Sequence, residues 1–244
     1  MGPFAAVAAV VLFAGTVQGA SGFGFSLVAV PLLAVVTGPK DAVVLASVLA
    51  VVSTSGLAVR FRHQVDRPLA GRLFAGACLG LPFGALVLRV VPAQALLLAI
   101  GVVVLAFTFV LARRGRSPVE VQGGGAASDL GAGLLCGLLT TSVGTNGPPV
   151  VLRLQAHGLP AGRFRATASA VFVGCNLAAV AIFAAGGRVD RGLLAQAAVA
   201  VPGLMLGLWA GDRVHRRLPA ERFRTLVLGL MVLTALAAVV AALR

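Results

Sequence analysis

The sequence has very few charged residues. Only 11% of its 244 residues are charged, whereas about 25% is usual in a soluble domain. This shortage excludes an ordinary soluble globular domain. The hydrophobic share of 59% and the mean hydropathy of +1.02 instead indicate an all-α polytopic membrane protein whose partner is the lipid bilayer.

Carboxylates are especially scarce. Inside a membrane such groups commonly serve as proton relays or cation ligands. None lies at the centre of an apolar segment, which disfavours a metal-cation transporter and a carboxylate-based proton pump. The seven acidic residues lie in predicted loops or at segment ends: Asp41, Asp66, Glu120, Asp129, Asp190, Asp212 and Glu221.

Cysteine is also rare, and its spacing is uninformative. Cys78, Cys136 and Cys175 lie in apolar segments and form no CxxC pair. This argues against a disulfide framework and a zinc site, and favours small packing residues. The apolar segments also hold no cluster of carboxylates, histidines or metal ligands suited to acid, base or nucleophilic chemistry. We therefore expect no enzymatic activity, no metal and no cofactor.

The formal net charge of +13 reflects arginine rather than a nucleic-acid surface. The arginines stand in short clusters between apolar runs, without the basic stripe and interleaved aromatics that nucleic-acid binding favours. We interpret them as signals of membrane topology.

The apolar segments form two similar halves. Residues 1–112 and 129–244 are predicted to be transmembrane repeats, joined by a polar cytoplasmic linker at 113–128. Matching features recur about 120 residues apart, for example Asp66 with Asp190, and indicate a duplication. The apolar segments run over 4–17, 25–37, 42–59, 69–88 and 93–112, and then over 130–139, 149–156, 166–185, 193–211 and 223–243.

The first two segments of each half are too short to be comfortable spans, since a bilayer core needs about 20 helical residues. If each short pair returns to the side it entered, the cationic loops divide very unequally between the two faces, as the positive-inside rule predicts. A continuous crossing gives no such division. We therefore predict inverted repeats, each a broken or re-entrant helix pair followed by three transmembrane helices, with eight to ten membrane helices in total. Both termini are expected on the non-cytoplasmic face.

One of these faces holds most of the cations. The non-cytoplasmic face is assigned only five cations: Lys40, Arg89, Arg188, Arg191 and Arg244. The cytoplasmic face is assigned Arg60, Arg62, Arg67, Arg72, Arg113, Arg114, Arg116, Arg153, Arg163, Arg165, Arg213, Arg216, Arg217, Arg222 and Arg224.

Residues 3–20 could pass for a signal peptide, but no Lys or Arg precedes the apolar run, so we expect them in the mature fold.

Glycine-rich interruptions between the short segments mark the candidate binding site. A helix broken inside a membrane leaves backbone N–H groups that need a partner, and paired breaks in two repeats point to a transporter's substrate site. New helix N-termini carry partial positive charge, which suits a small anion. Hydroxyl and amide donors lie beside both breaks. The candidate substrate-binding residues are Gln18, Ser21, Gly22, Gly24, Ser26, Thr141, Gly144, Thr145, Asn146, Gly147 and Asn176.

Other residues have blander interpretations. Gly80 and Gly84, like Gly203 and Gly207, are expected to allow close helix packing. Two aligned polar residues, Asn176 and Thr54, either line the site or bridge helices. His63, His157 and His215 are expected to be solvated at the interface, and Arg153 to reach toward it.

The chain resembles the sulfite exporter TauE/SafE family of membrane permeases over essentially its whole length. The resemblance rests on QGASGFG at 18–24 and PLL at 31–33, and on GTNGPPVVL at 144–152 and FRAT at 164–167. It implies transport of a small sulfur-containing anion, such as sulfite or an organosulfonate, across a bacterial inner membrane.

We therefore expect a secondary transporter that works by alternating access. An anion channel and a membrane scaffold without transport activity are the alternatives. The anion, the direction of transport, the coupling ion and possible homo-oligomerisation stay open.

Overall fold

The computed structural model describes residues 3–21, 24–113, 125–217 and 220–242. These residues form ten α-helices and one short 3-10 turn at Arg62–Gln64, which confirms the all-helical prediction. The helices are α1 Pro3–Ser21, α2 Phe25–Thr37, α3 Pro39–Arg60, α4 Arg67–Val90, α5 Ala93–Arg113, α6 Ala126–Ser142, α7 Gly147–Ala156, α8 Ala161–Ala185, α9 Arg191–Arg217 and α10 Ala220–Ala242.

Five of these helices contain stretches that are long and apolar enough to cross a bilayer: Pro39–Arg60, Arg67–Val90, Ala93–Val110, Ala161–Ala185 and Arg191–Arg213. Shorter apolar helices accompany them, as expected for a polytopic membrane protein. Arg113 closes α5, and α6 begins at Ala126, so the helices extend into both ends of the predicted linker. Residues 114–124 of that linker lie outside the described part of the chain.

Both interruptions that the sequence indicates are present. Between α1 and α2, Gly24 has a φ of 97° and lies immediately before Phe25. Between α6 and α7, Pro148 and Pro149 fall in the first turn of α7, where proline is tolerated because its missing N–H has no intrahelical partner. With 13 and 10 residues, α2 and α7 reach only about 20 Å and 15 Å, less than a bilayer core of about 30 Å.

Helices α6 and α7 form a hairpin. Asp129 in the first turn of α6 bonds Arg153 near the end of α7. It also bonds His157, which directly follows α7. Because the start of α6 and the end of α7 meet, the chain returns to the end of the bundle from which it came. We call this the Asp129 end.

The other end of the bundle is called the Arg89 end. Arg72, near the start of α4, bonds Asp129, whereas Arg89 lies in the last turn of α4. The Lys40 ammonium donates to the Arg89 carbonyl oxygen at 3.1 Å, so α3 begins where α4 ends.

Asp66 shows where α8 begins. Asp66, just before α4, lies 3.5 Å from Arg163 near the start of α8. Its backbone N–H donates to Thr167 Oγ1 at 3.0 Å. The start of α8 therefore lies at the Asp129 end, where α7 has returned.

Equivalent helices of the two halves begin with the same capping bond. The Asp66 carboxylate accepts from the Leu69 N–H at 3.2 Å at the start of α4. The Asp190 carboxylate accepts from the Leu193 N–H at 2.7 Å near the start of α9. Such caps satisfy an N–H that the helix leaves unpaired. The recurring Asp thus has one structural role in both halves.

The first helix of each half packs tightly against the fourth helix of the other. A Cβ added at Gly80 would overlap the Leu134 backbone of α6, and one at Gly207 would overlap the Leu12 backbone of α1. Gly84 behaves in the same way against α6. The expectation that these glycines allow close packing is confirmed.

We expect Gly80→Leu to prevent α4 from packing on α6. The free energy of unfolding should fall by about 1–3 kcal/mol or more, since this is the usual cost of overpacking. Thermal unfolding in detergent checks this. Gly131→Leu in α6 is the control, because no atom lies within 4 Å of a Cβ there. Equal melting temperatures for the two variants would contradict the packing.

Arginine and aromatic side chains mark the Asp129 end. Three helices finish there with an arginine over an aromatic ring, at 5.5 Å for Arg60 and Phe61, 4.2 Å for Arg113 and Phe109, and 3.5 Å for Arg213 and Trp209. This arrangement is typical of a membrane interface.

The cysteines divide between core and surface. Cys136 and Cys175 are buried, with their sulfurs 3.9 Å apart. Cys78 is exposed, so the prediction that all three serve as packing residues is wrong for Cys78.

Candidate functional site

A small cavity lies where the two interrupted helix pairs meet α3 and α8. Its volume is about 20 Å³, enough for roughly one water molecule. Six predicted residues line it: Gln18, Gly24, Ser26, Asn146, Gly147 and Asn176.

Three other predicted residues, Thr141, Gly144 and Thr145, are not part of the described lining. Thr141 donates to the Leu81 carbonyl oxygen of α4 at 2.6 Å, so it joins helices. Gly144, with a φ of 70°, packs against Val30 and Val43. Thr145 is fully buried but is not part of the lining. Gly22 lies outside the described residues, as does the side chain of Ser21.

Several lining residues are outside the set of candidate substrate-binding residues, although Thr54 was considered for a lining role together with Asn176. Phe25 and Leu27 follow Gly24 in α2, whereas Ala50, Ser53, Thr54 and Phe172 come from α3 and α8. Helical spacing could have found two of them, because residues four apart share a face. Ala50 precedes Thr54 by four residues, and Phe172 precedes Asn176 by four.

The first turns of α2 and α7 both border the cavity, through Phe25, Ser26 and Leu27 and through Gly147. The first N–H groups of a helix have no intrahelical partner and carry partial positive charge. Pro148 and Pro149 have no N–H, so α2 offers more backbone donors than α7. The arrangement favours a small anion.

Buried polar atoms without a partner identify the most unusual side chains of the site. Asn146 Nδ2 and Gln18 Oε1 have no hydrogen-bond partner in the described structure. Asn146 is 7% exposed and Gln18 is 2% exposed, and both line the cavity. Leaving such an atom unpaired costs about 1–3 kcal/mol. A ligand or water in the cavity would satisfy them.

Three other polar side chains of the lining have bonds within their own helices. Thr54 donates to the Ala50 carbonyl at 2.6 Å, and Ser53 donates to the same oxygen at 3.1 Å. Asn176 Nδ2 donates to the Phe172 carbonyl at 2.8 Å. Asn176 thus borders the cavity, and its Nδ2 bond lies within α8.

A second polar cluster lies at the Asp129 end. Asp129 is only 1% exposed, although it was expected simply at the end of a segment. Arg153 is 12% exposed and donates to Asp129 Oδ1 at 2.5 Å. Arg153 thus extends toward the Asp129 end, as expected, but a buried carboxylate holds it there. His157, at 2.9 Å from the same oxygen, is also bonded rather than merely solvated.

A larger cavity opens at the Arg89 end. Its volume is about 590 Å³, and Arg89 of α4 and Arg188 after α8 both border it. Phe183 also lines this cavity. It lies seven residues beyond Asn176, which places the larger cavity about 10 Å along α8 from the small one.

Comparison with known proteins identifies the family. No curated protein and no solved structure matches the chain. The profile of the family described as sulfite exporter TauE/SafE matches residues 7–238, which is nearly the whole chain. The described helices fit a multi-pass membrane protein, as a membrane transporter family requires. The chain belongs to the sulfite exporter TauE/SafE family.

Proposed function

We propose that this protein is a secondary transporter that binds a small sulfur-containing anion, sulfite or an organosulfonate, between the N-termini of α2 and α7. Family membership supports a permease for sulfur anions. The observation that carries the site is the unpaired Asn146 Nδ2 donor at the small cavity.

The lining of this cavity suits an anion better than a cation. No acidic residue belongs to the described lining, whereas the first turns of α2 and α7 border the cavity. A first turn leaves backbone N–H groups without an intrahelical partner, and these suit an anion. Asn146 adds a side-chain donor. A half-turn of the Gln18 carboxamide exchanges its oxygen and its NH₂ group, so Gln18 can also donate to a bound oxyanion.

The size of the cavity supports an alternating mechanism. A volume of about 20 Å³ holds roughly one water, so the helix pairs must separate before a polyatomic anion can enter. In the proposed cycle, one repeat rocks against the other and exposes the site to each face in turn.

We infer an inverted arrangement of the repeats in a bacterial inner membrane. The α6–α7 hairpin and the Asp66–Arg163 contact support it, because both require α7 to return to the Asp129 end. The arginine-rich Asp129 end is then the cytoplasmic one.

A binding screen tests the substrate. Purified protein is heated with sulfite, thiosulfate, an alkylsulfonate or a carboxylate, and unfolding is followed. We expect the sulfur oxyanions to raise the melting temperature, since a ligand at one hundred times its Kd adds about 2.7 kcal/mol of stability.

The screen has a clear negative outcome. Equal stabilisation by the carboxylate would refute selectivity for sulfur anions. Equal stabilisation of an Asn146→Leu variant by sulfite would refute the site.

A further inference from the structure

We propose that Asp129 is an ionic latch that closes the anion site toward the Asp129 end and that only the second repeat has such a latch. This inference rests on the proposed function, since it describes how that site is gated. The latch consists of Asp129, Arg72, Arg153 and His157.

One buried carboxylate connects three elements. Arg72 of α4 donates to Asp129 Oδ2 at 2.8 Å, and Arg153 of α7 donates to Oδ1 at 2.5 Å. His157 after α7 lies 2.9 Å from Oδ1. Asp129 itself belongs to α6. Its two oxygens therefore hold both ends of the α6–α7 hairpin to α4.

The latch acts on a helix that forms the anion site. Gly147 at the start of α7 lines the small cavity, and Arg153 follows it by six residues, or about 9 Å of helix. Because α7 is short, its start cannot move far while Arg153 stays bound. Releasing Arg153 frees the helix start that carries Gly147.

The first repeat has apolar residues at the corresponding positions. The alignment that pairs Thr54 with Asn176 also pairs Val7 with Asp129 and Pro31 with Arg153. Val35 takes the place of His157. Val7 of α1 and Pro31 of α2 are buried, so these positions have apolar surroundings in place of ion pairs. The two interrupted helix pairs thus differ in chemistry at these positions.

Charge balance explains why the carboxylate is needed. Two guanidinium groups approach Asp129, and Arg153 is only 12% exposed. Without the negative charge these cations would repel each other in a region of poor solvation. Arg72, at 39% exposure, can turn to solvent, but Arg153 must carry the end of α7 with it.

The opposite end of the molecule is more open. The cavity of about 590 Å³ lies at the Arg89 end, whereas ion pairs hold the Asp129 end together. The proposed latch is therefore bonded in this structure, and the larger cavity lies at the opposite end.

Cysteine accessibility tests the latch. Ser53, which lines the small cavity, is replaced by cysteine after Cys78, Cys136 and Cys175 are changed to alanine. A membrane-impermeant maleimide is then applied to each side of sealed vesicles. A cysteine at exposed His63 identifies the side of the Asp129 end.

We expect Asp129→Asn to increase labelling from the Asp129 side at least several-fold and to decrease it from the other side. Arg72→Gln, which removes a more exposed partner, is expected to act in the same direction and serves if Asp129→Asn does not fold. Arg163→Gln is the matched control. It breaks an ion pair of 3.5 Å at the same end, with Arg163 53% exposed, and should leave labelling unchanged.

Unchanged labelling in Asp129→Asn and Arg72→Gln would overturn the latch. So would an equal increase in Arg163→Gln, because any lost ion pair would then have the same effect. Sulfite stabilisation of the wild-type protein, measured separately, tests the anion site itself. If sulfite does not stabilise the wild-type protein, the proposed function is refuted. The labelling experiment would still report whether Asp129 closes the cavity.

Discussion

Replacing Asn146 by leucine is expected to weaken anion binding strongly while leaving the fold at least as stable. Asn146 Nδ2 is buried without a partner, so an apolar side chain of similar size relieves a cost of about 1–3 kcal/mol. The same change removes a donor to a charged ligand, worth about 1.5–3 kcal/mol. Affinity for sulfite should fall about 10- to 150-fold.

Thermal unfolding with and without sulfite measures both effects in one experiment. Thr140→Val is the matched control. Thr140 is also buried, but its hydroxyl is bonded to the Cys136 carbonyl at 2.6 Å and it does not line the cavity. We expect normal sulfite affinity in the control. A strongly destabilised Asn146→Leu protein, or one with unaltered affinity, would contradict the role given to Asn146.

Gly147→Val is expected to abolish transport without preventing membrane insertion. A Cβ at Gly147 meets only Leu27 Cδ1, at an ordinary 3.8 Å, so the backbone accepts a side chain there. The additional methyl groups fill a cavity of only about 20 Å³. Uptake should fall on the order of 100-fold, equivalent to about 2.7 kcal/mol.

Radiolabelled sulfite uptake into proteoliposomes checks this prediction. Gly147→Ala should give an intermediate rate, because it adds a single carbon. Gly56→Val is the control in α3, where no atom lies within 4 Å of an added Cβ. Normal uptake by Gly147→Val would show that the substrate does not pass between α2 and α7.

Gly24 is less suitable for this test than Gly147. Its φ of 97° lies in a region that residues with a Cβ rarely adopt, at a cost of roughly 1–2 kcal/mol. A substitution at Gly24 would therefore combine backbone strain with any effect on the substrate.

The helices and the two interruptions could be predicted from the sequence because both depend on local properties. Long apolar runs specify helices in a membrane, and Gly24 and Pro148 mark the interruptions. The four-residue spacing of Gly80 and Gly84, and of Gly203 and Gly207, predicted close helix packing. Each of these signals lies within a few residues of the feature it predicts.

The polar contacts between distant segments could not be predicted in this way. Asp129 and Arg153 are 24 residues apart, and Asp129 and Arg72 are 57 apart. Only the hairpin and the packing of α4 on α6 bring them together. The sequence places Asp129 near a polar linker, where a carboxylate is usually solvated, so its burial depends on tertiary structure.

The same limit applies to the proposed binding site. Gln18, Asn146 and Gly147 could be selected from the sequence because they belong to the interruptions themselves. Phe172 and Ala50 belong to regular helices, and only the approach of α3 and α8 to the interruptions places them in the cavity lining. Thr141 shows the reverse case, since its hydroxyl is used to hold α6 against α4.

Counterflow of radiolabelled sulfite tests the central claim most directly. Proteoliposomes loaded with unlabelled sulfite are diluted into a trace of labelled sulfite, and internal label is followed with time. The account predicts transient, saturable accumulation with the wild-type protein and none with equal amounts of inserted Gly147→Val protein. Accumulation by both proteins would contradict the site, and equilibration without a transient excess would indicate a channel instead of a carrier.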